Sequence, residues 1–376
     1  MRYNSKKIAF LTGTRADFGK IKSLISILET HAEFTVYVFV TGMHLQQEYG
    51  YTLIEIERCG FSNLYTFENH THETTMDLTL AKTIEGFSAF CKSTNPDLIV
   101  VHGDRVETLA GAIVGSLNNI LVAHIEGGEL SGTVDELIRH SVSKLSHIHF
   151  VSNEEARKRL LQMGEMPSSI YVIGSPDVDI MFSEKLPNLT EVKAYYQILF
   201  QDYALLMFHP VTTEATEMEA YVTNLISALE KDDHNYIVIY PNNDLGSQAI
   251  IKGYKKLSSN SRFKIFPSLR FEYFLTLLKN AQFVIGNSSA GVREAPYYGI
   301  PVINIGTRQQ NRVFNTDILN VDYSENGITK ALAKIKNHKV HNQQTHFGTG
   351  NSAQLFLNSL INTNIWKTNH QKQFIE

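Results

Sequence analysis

Short, continuous apolar runs, each closed by Gly, Asn, Ser or Asp and followed by an amphipathic stretch, recur along this chain in two series. The first series reads KIAFLTG, TVYVFVTG, DLIVVHGD, ILVAHIEGG, HIHFVSN and IYVIGSP. The second, from about residue 203 to 306, reads YALLMFHP, NYIVIYPN, RFKIFP, QFVIGNSS and PVINIG. A strand that is apolar throughout needs cover on both faces, and strands that alternate with helices obtain it as a parallel sheet between helical layers. Between the series, SPDVDIMFSEKLPNLTEVKAYYQ has prolines at 176 and 187 and no strand-like run, so it reads as an interdomain connection. The expected fold class is α/β: two doubly wound domains facing across a cleft.

The chain's 376 residues exceed the size at which one core usually keeps growing, which agrees with two domains. Hydrophobic residues make up 43% and charged residues 19%, with a formal net charge of −4. A nucleic-acid binder shows a basic face, so nucleic acid is not an expected partner. Cys59 and Cys91 lie far apart with no ligand spacing, which argues against a disulfide framework or a zinc site and fits a reducing compartment. In SKKIAFLTGTRADFG only four apolar residues precede Thr12 and Gly13, too few for a secretory signal, and no other run approaches a membrane span. A cytoplasmic protein without a membrane partner is expected.

Ligands of doubly wound sheets bind outside the carboxyl ends of the strands. In the first half those ends carry TGTRADFGK, TGMH, HGDRVE and HIEGGELSGTVDELIRH; in the second, FHPVTTE, YPNND, FPSLR and GNSSAGVREA. Ser288 and Ser289 lead into a helix expected to start near Ala290, between Gly286 and Gly291. Such a helix start offers N–H groups and a positive dipole end to phosphate. A simple N-cap role for Ser288 competes with this reading, but it leaves the glycines, and Arg15 and His209 at other strand ends, unexplained. Arg15 has a fork of donors suited to a diphosphate, against the alternative of a solvent-facing arginine. His209 reads either as a ligand or as a core histidine bonded to backbone. Lys20 is either a surface lysine or a phosphate contact. Glu294 either accepts from ribose hydroxyls or complements a helix dipole.

Carboxylates gather at the ends of the first series. Asp104 closes one strand in HGDRVE, Glu126 closes the next, and Asp135 follows in GTVDELIRH, where Thr133 and Glu136 fit a capping box. Asp135 has an alternative as a dipole-complementing acid, Glu136 is read only that way, and Glu129 stays undecided. Neighbouring strand ends put Asp104 and Glu126 in one mouth, and paired carboxylates there divide acid and base roles. No spacing supports a metal, and NHTHE at residues 69–73 reads as a solvated loop.

Taken in order over nearly the whole chain, TGTRADFGK, TGMH, HGDRVE, HIEGGELSGTVDELIRHSVSKLSHIHF, IGSPD, FHPVTTE, FPSLRFEYF and GNSSAGVREAP resemble the hydrolysing UDP-N-acetylglucosamine 2-epimerases. The likeness is greatest to the bacterial sialic-acid capsule type. It implies two Rossmann-like halves of the GT-B type, with residues 1–178 carrying the carboxylates and residues 179–354 binding UDP. It further implies a C-terminal helix over 355–376 packing back on the first domain, a homodimer, and no cofactor. The family's catalytic carboxylates fall on Asp104, Glu126 and Asp135. Its contacts to the nucleotide diphosphate fall on Arg15, His209, Ser288, Ser289 and Glu294, with Phe266 near the uracil; Lys20, Arg270 and Gly291 complete the substrate-binding set. Non-hydrolysing relatives read GTRPEAIK at the first turn where this chain reads GTRADFGK, which sides with release of free UDP.

On that reading UDP leaves first, the positive charge at C1 acidifies the C2 proton, and a carboxylate removes it to give a glycal. Water then adds at C1 while an acid protonates C2 from the opposite face, yielding N-acetylmannosamine. A non-hydrolysing epimerase would share the site but return UDP to C1. A GT-B glycosyltransferase would need an acceptor groove, and a nucleotide-sugar binding protein would need no clustered acids. A diacetylbacillosamine nucleotide is an alternative substrate.

Overall fold

The computed structural model describes residues 5–70, 75–131, 133–310, 317–336, 338, 340, 346–362 and 364–373. The chain divides into two units, one of residues 1–129, 135–183 and 346–376, the other of residues 130–134 and 184–345. Each is built on one parallel sheet with helices, as the two series of apolar runs require.

In the first unit the strands are β1 (Lys6–Thr12), β2 (Phe34–Val40), β3 (Leu64–Thr66), β4 (Leu98–His102), β5 (Leu121–Ile125), β6 (Ile148–Val151) and β7 (Ile170–Val172). Their order is β3-β2-β1-β4-β5-β6-β7, with every pairing parallel. Every residue of β4 and β5 is buried, the expected fate of runs apolar on both faces. The order reverses between β1 and β4, and the crevice outside their carboxyl ends is where such sheets take ligands.

The core of this unit is completed by the helix Ser352–Ile361. The ring of Phe356 lies 4.8 Å from Phe150 and 6.4 Å from Phe10, in one cluster with Leu357, Leu360 and Ile365. Asp179 caps that helix from outside, accepting the N–H groups of Ser352 (2.9 Å) and Ala353 (2.7 Å). The helix is shorter than the expected 355–376: it stops at Ile361, and a single 3-10 turn, Ile365–Lys367, follows. The Asn362 side chain accepts the Asn364 N–H at 3.1 Å, a local bond that competes with helix continuation. Residues 363 and 374–376 lie outside the described residues.

The second unit contains β8 (Ala204–Met207), β9 (Tyr236–Ile239), β10 (Phe263–Phe266), β11 (Val284–Gly286), β12 (Val302–Ile305) and β13 (Ile318–Val321). Their order is β10-β9-β8-β11-β12-β13, again all parallel, with the reversal between β8 and β11. The helices Met218–Glu230, Ser247–Lys256 and Glu325–Ile335 pack their apolar faces into its core. No helix among the described residues is long and apolar enough to cross a membrane.

Candidate active site

The first turn of the chain is organised by a residue absent from the sequence-based candidates. Thr14 caps the helix Arg15–Glu29, and Asp17 closes a capping box with it. The Asp17 carboxylate accepts the N–H groups of Gly13 (3.0 Å) and Thr14 (3.1 Å) and the Thr12 hydroxyl. These backbone donors are therefore directed at an internal carboxylate. Arg15, at the first helical position, is half-buried. Burial pushes Asp17 up to about 6, against the hydrogen bond from Thr12 and the attraction of His102. With Thr12 donating to Asp17, its oxygen accepts from Nε2 of His44 (3.0 Å), whose Nδ1 accepts from Thr52 (2.7 Å). Burial and the charge of Arg15 bring His44 down to about 3, so it is neutral at ordinary pH. The T-x-x-D spacing of Thr14 and Asp17 is the sequence signal that would have found this turn.

Glu126 leaves β5 with φ 63°, a left-handed conformation that costs a residue with a side chain of order 1 kcal/mol or more. Gly128 follows at φ 77°, where a Cβ would stand 2.4 Å from the carbonyl oxygen of Ala156. This backbone reversal turns the Glu126 side chain into a nearly dry cluster, with the residue 4% exposed. One carboxylate oxygen lies 3.2 Å from Nε2 of His102 and 3.5 Å from Nζ of Lys20, while the other accepts the Ser175 hydroxyl. The Lys20 ammonium is also 3.0 Å from Asp177. Lys20 is thus not the surface lysine that was one of its two readings. It is buried, and both these partners are carboxylates.

Asp104 follows β4, where the Gly103 N–H donates to the Ile125 carbonyl (3.0 Å) and joins the ends of β4 and β5. Its carboxylate is ion-paired with Arg139, a residue only 3% exposed that also donates to the Glu129 carbonyl at 3.2 Å. Asp135 stands in the first turn of the helix Val134–Leu145, as expected, and is buried there. Arg139, one turn further along that helix, ties it to the strand end bearing Asp104. Glu129 accepts the Ser152 hydroxyl at 2.7 Å and so holds its own loop against β6. His124, within β5, is wholly buried between the Gly103 carbonyl (2.8 Å) and Ser143 (3.1 Å), and burial lowers it to about 3. Sequence reasoning missed His102, Arg139, Ser175 and Asp177. HGDR and GSPD contained three of them, but nothing local shows which carboxylate they meet.

The loop NHTHE is not simply solvated. Asn69 is fully buried, accepting the Gly42 N–H at 3.2 Å and donating to Thr83 at 2.9 Å, so it locks the turn after β2. Residues 71–73 of that motif lie outside the described residues.

In the second unit, His209 lies two residues beyond β8, clamped by the buried Asn287 beyond β11. Asn287 accepts the His209 N–H at 2.6 Å and donates to its carbonyl at 2.9 Å. The Asn242 N–H donates to Nδ1 of His209 at 3.0 Å, so the ring proton of the neutral form sits on Nε2. Gln309 donates to the Asn287 carbonyl at 2.8 Å. Ser288 does cap the following helix, accepting the Ala290 N–H at 3.4 Å. That helix, Ser289–Val292, is a single turn, so its dipole is weaker than the expected longer helix would supply. Gly286 has φ 132° and no room for a Cβ, which would fall 2.0 Å from the Met207 carbonyl oxygen. Gly291 serves packing, since a Cβ there would meet Val302 at 3.0 Å. Glu294 is buried just beyond the turn. Phe266 ends β10 with its ring edge-on to Tyr196 at 5.1 Å, and the Arg270 guanidinium lies over Tyr195 (4.5 Å) and Tyr273 (5.1 Å). Arg270 is thereby placed for cation–π attraction to both rings.

Comparison with known proteins gives one consistent picture. The model of the family described as UDP-N-acetylglucosamine 2-epimerase matches residues 26–361. A UDP-N-acetylglucosamine 2-epimerase of Neisseria meningitidis serogroup B is 47% identical over 374 residues, covering 99% of each chain. A UDP-N,N'-diacetylbacillosamine 2-epimerase (hydrolyzing) of Legionella pneumophila is 32% identical, covering 93% of this chain and 94% of its own. In fold, the chain is similar to a crystal structure of Methanocaldococcus jannaschii UDP-GlcNAc 2-epimerase in complex with UDP-GlcNAc and UDP. The TM-score is 0.80 at 24% identity, with 94% of this chain and 99% of that one covered.

Proposed function

Since the chain belongs to the UDP-N-acetylglucosamine 2-epimerase family, we propose that it is the UDP-releasing type, converting UDP-N-acetylglucosamine and water into N-acetylmannosamine and UDP. The observation that carries this reading is the set of three carboxylates that follow the strand ends of the first unit, two of them buried and Asp104 partly buried. Asp104 is charge-matched by Arg139, Glu126 is held by Lys20, His102 and Ser175, and Asp135 is buried in a first helical turn. Elimination and rehydration need one group to accept the C2 proton, another to return one from the opposite face, and negative charge beside a cationic C1. Three acids meet those needs. The GTRADFGK turn and the hydrolysing Legionella relative also favour release of UDP.

The reaction balances without a redox partner. The C1–O bond breaks with its electron pair leaving on UDP, and a carboxylate accepts the C2 proton to give the 2-acetamidoglucal. Hydroxide from water adds at C1 while a proton is delivered to C2. Arg15, His209, Ser288, Ser289 and Glu294 are the residues we assign to UDP, with Nε2–H of His209 as a donor to phosphate oxygen. Charge building on the departing diphosphate is the largest electrostatic demand of the first step.

Proton NMR of the products formed in deuterated water tests the proposal. Free UDP and N-acetylmannosamine carrying deuterium at C2 are expected. A product still bearing UDP would instead indicate the non-hydrolysing reaction, and product without C2 deuterium would exclude the elimination route.

A further inference from the structure

We propose that Asp177 is a positioning residue for Glu126, acting through Lys20; this rests on reading Glu126 as a proton-transfer carboxylate. Lys20 projects from the helix Arg15–Glu29, and Asp177 lies in the first turn of the helix Pro176–Met181. The ammonium stands 3.0 Å from Asp177 and 3.5 Å from Glu126, and all three residues are at least nine-tenths buried. An ammonium facing a single carboxylate in so dry a place would close on it and hold it as a tight ion pair. Here the nearer partner is Asp177, so Glu126 receives part of the positive charge at a looser distance. The same segment supplies Ser175, whose hydroxyl fixes the other Glu126 oxygen. One short stretch, GSPD, therefore sets both the direction and the electrostatics of the carboxylate.

The charged and titratable groups around Glu126 come from four elements. They are Lys20 on the helix Arg15–Glu29, His102 at the end of β4 (which Asp17 also attracts), His124 in β5, and Asp177. Among them Asp177 contributes a negative charge directly against the ammonium that neutralises Glu126. Its removal leaves more of the Lys20 charge acting on Glu126, lowers the proton affinity of that carboxylate, and makes it a weaker base.

The test compares full-length wild type with Asp177→Asn, Asp177→Glu, Glu126→Gln and the double variant Glu126→Gln/Asp177→Asn, following kcat and KM against pH. Asp177→Asn is expected to lower kcat by about 10-fold with KM nearly unchanged, and to move the acid limb of kcat down by roughly half to one pH unit. Asp177→Glu, which restores the charge, should return the acid limb towards the wild-type position. The double variant should be no slower than Glu126→Gln alone, because Asp177 acts through that residue. If Glu126→Gln is impaired but Asp177→Asn has wild-type kcat and an unmoved acid limb, the positioning role is overturned while the Glu126 reading stands. Normal turnover in Glu126→Gln overturns the underlying reading instead. Should circular dichroism show that Asp177→Asn does not fold, Asp177→Ser removes the same charge and is judged by the same two readouts.

Discussion

At the scale of single residues, the ion pair of Asp104 with Arg139 joins the end of β4 to the helix Val134–Leu145. Asp104 and Glu126 stand where an apolar run stops, and a run of that kind announces its own end. Arg139 looks in sequence like one more charge on an amphipathic helix, yet it is 3% exposed and paired with Asp104. Breaking such a pair from one side leaves a partly buried carboxylate uncompensated. Arg139→Ala should therefore lower the unfolding free energy by about 3 kcal/mol, measured by urea denaturation. Arg139→Ala combined with Asp104→Asn should recover part of that loss, because the stranded charge is gone. A double variant no more stable than the single one would show that Arg139 stabilises by packing and its bond to Glu129 instead.

At the scale of elements, two strands were missed, β3 and β13. Both are edge strands, of three and four residues, and every one of those residues except Ile318 is at least partly exposed. A half-covered strand has no need of a continuous apolar run, so the signal that revealed the other strands is absent. The first βα turn went the other way. Its motif was visible, but the role of Asp17 as an internal acceptor was not. Because folding raises Asp17 from 3.8 to about 6, this group favours the folded state most below the unfolded value. That advantage is lost as the pH rises through the folded value. The difference of about two units corresponds to roughly 3 kcal/mol. Asp17→Asn should therefore gain stability relative to wild type by about 2–3 kcal/mol between pH 4 and pH 7. Denaturation series at both pH values measure it, and a pH-independent difference would refute the burial argument.

For the whole molecule, the pH dependence of stability follows from groups of opposite sign. His44 and His124 both fall from 6.5 to about 3 on folding, chiefly through burial, so their contribution is complete above pH 6.5 and is lost as the pH falls towards 3. Between pH 4 and 6 the unfolded chain binds two protons on these histidines, while the folded chain binds one on Asp17, a net uptake of 2 − 1 = 1 on unfolding. These three groups together should make stability rise by about 1.4 kcal/mol per pH unit across that window. Below pH 4.5 Glu165 adds to the loss. Burial alone would raise it, but His149 and Lys372 hold it at about 2, and Lys372 also donates to the Ser143 and Ser146 carbonyls at 3.0 and 2.6 Å. Titration calorimetry or denaturation at constant ionic strength gives the slope. Stability that falls with rising pH between 4 and 6 would mean the buried histidines are charged.

The sequence by itself determined the α/β class, the two parallel sheets and the strand ends at which chemistry could sit. Those properties depend on local periodicity and on where apolar runs stop, and both are written residue by residue. Tertiary structure alone decided which acids share a charge. Lys20, His102, Glu126, Ser175 and Asp177 meet only because β4 and β5 lie side by side, with the helices Arg15–Glu29 and Pro176–Met181 packed together. Electrostatic coupling depends on distance and dryness in space, and neither quantity has a local signature along the chain.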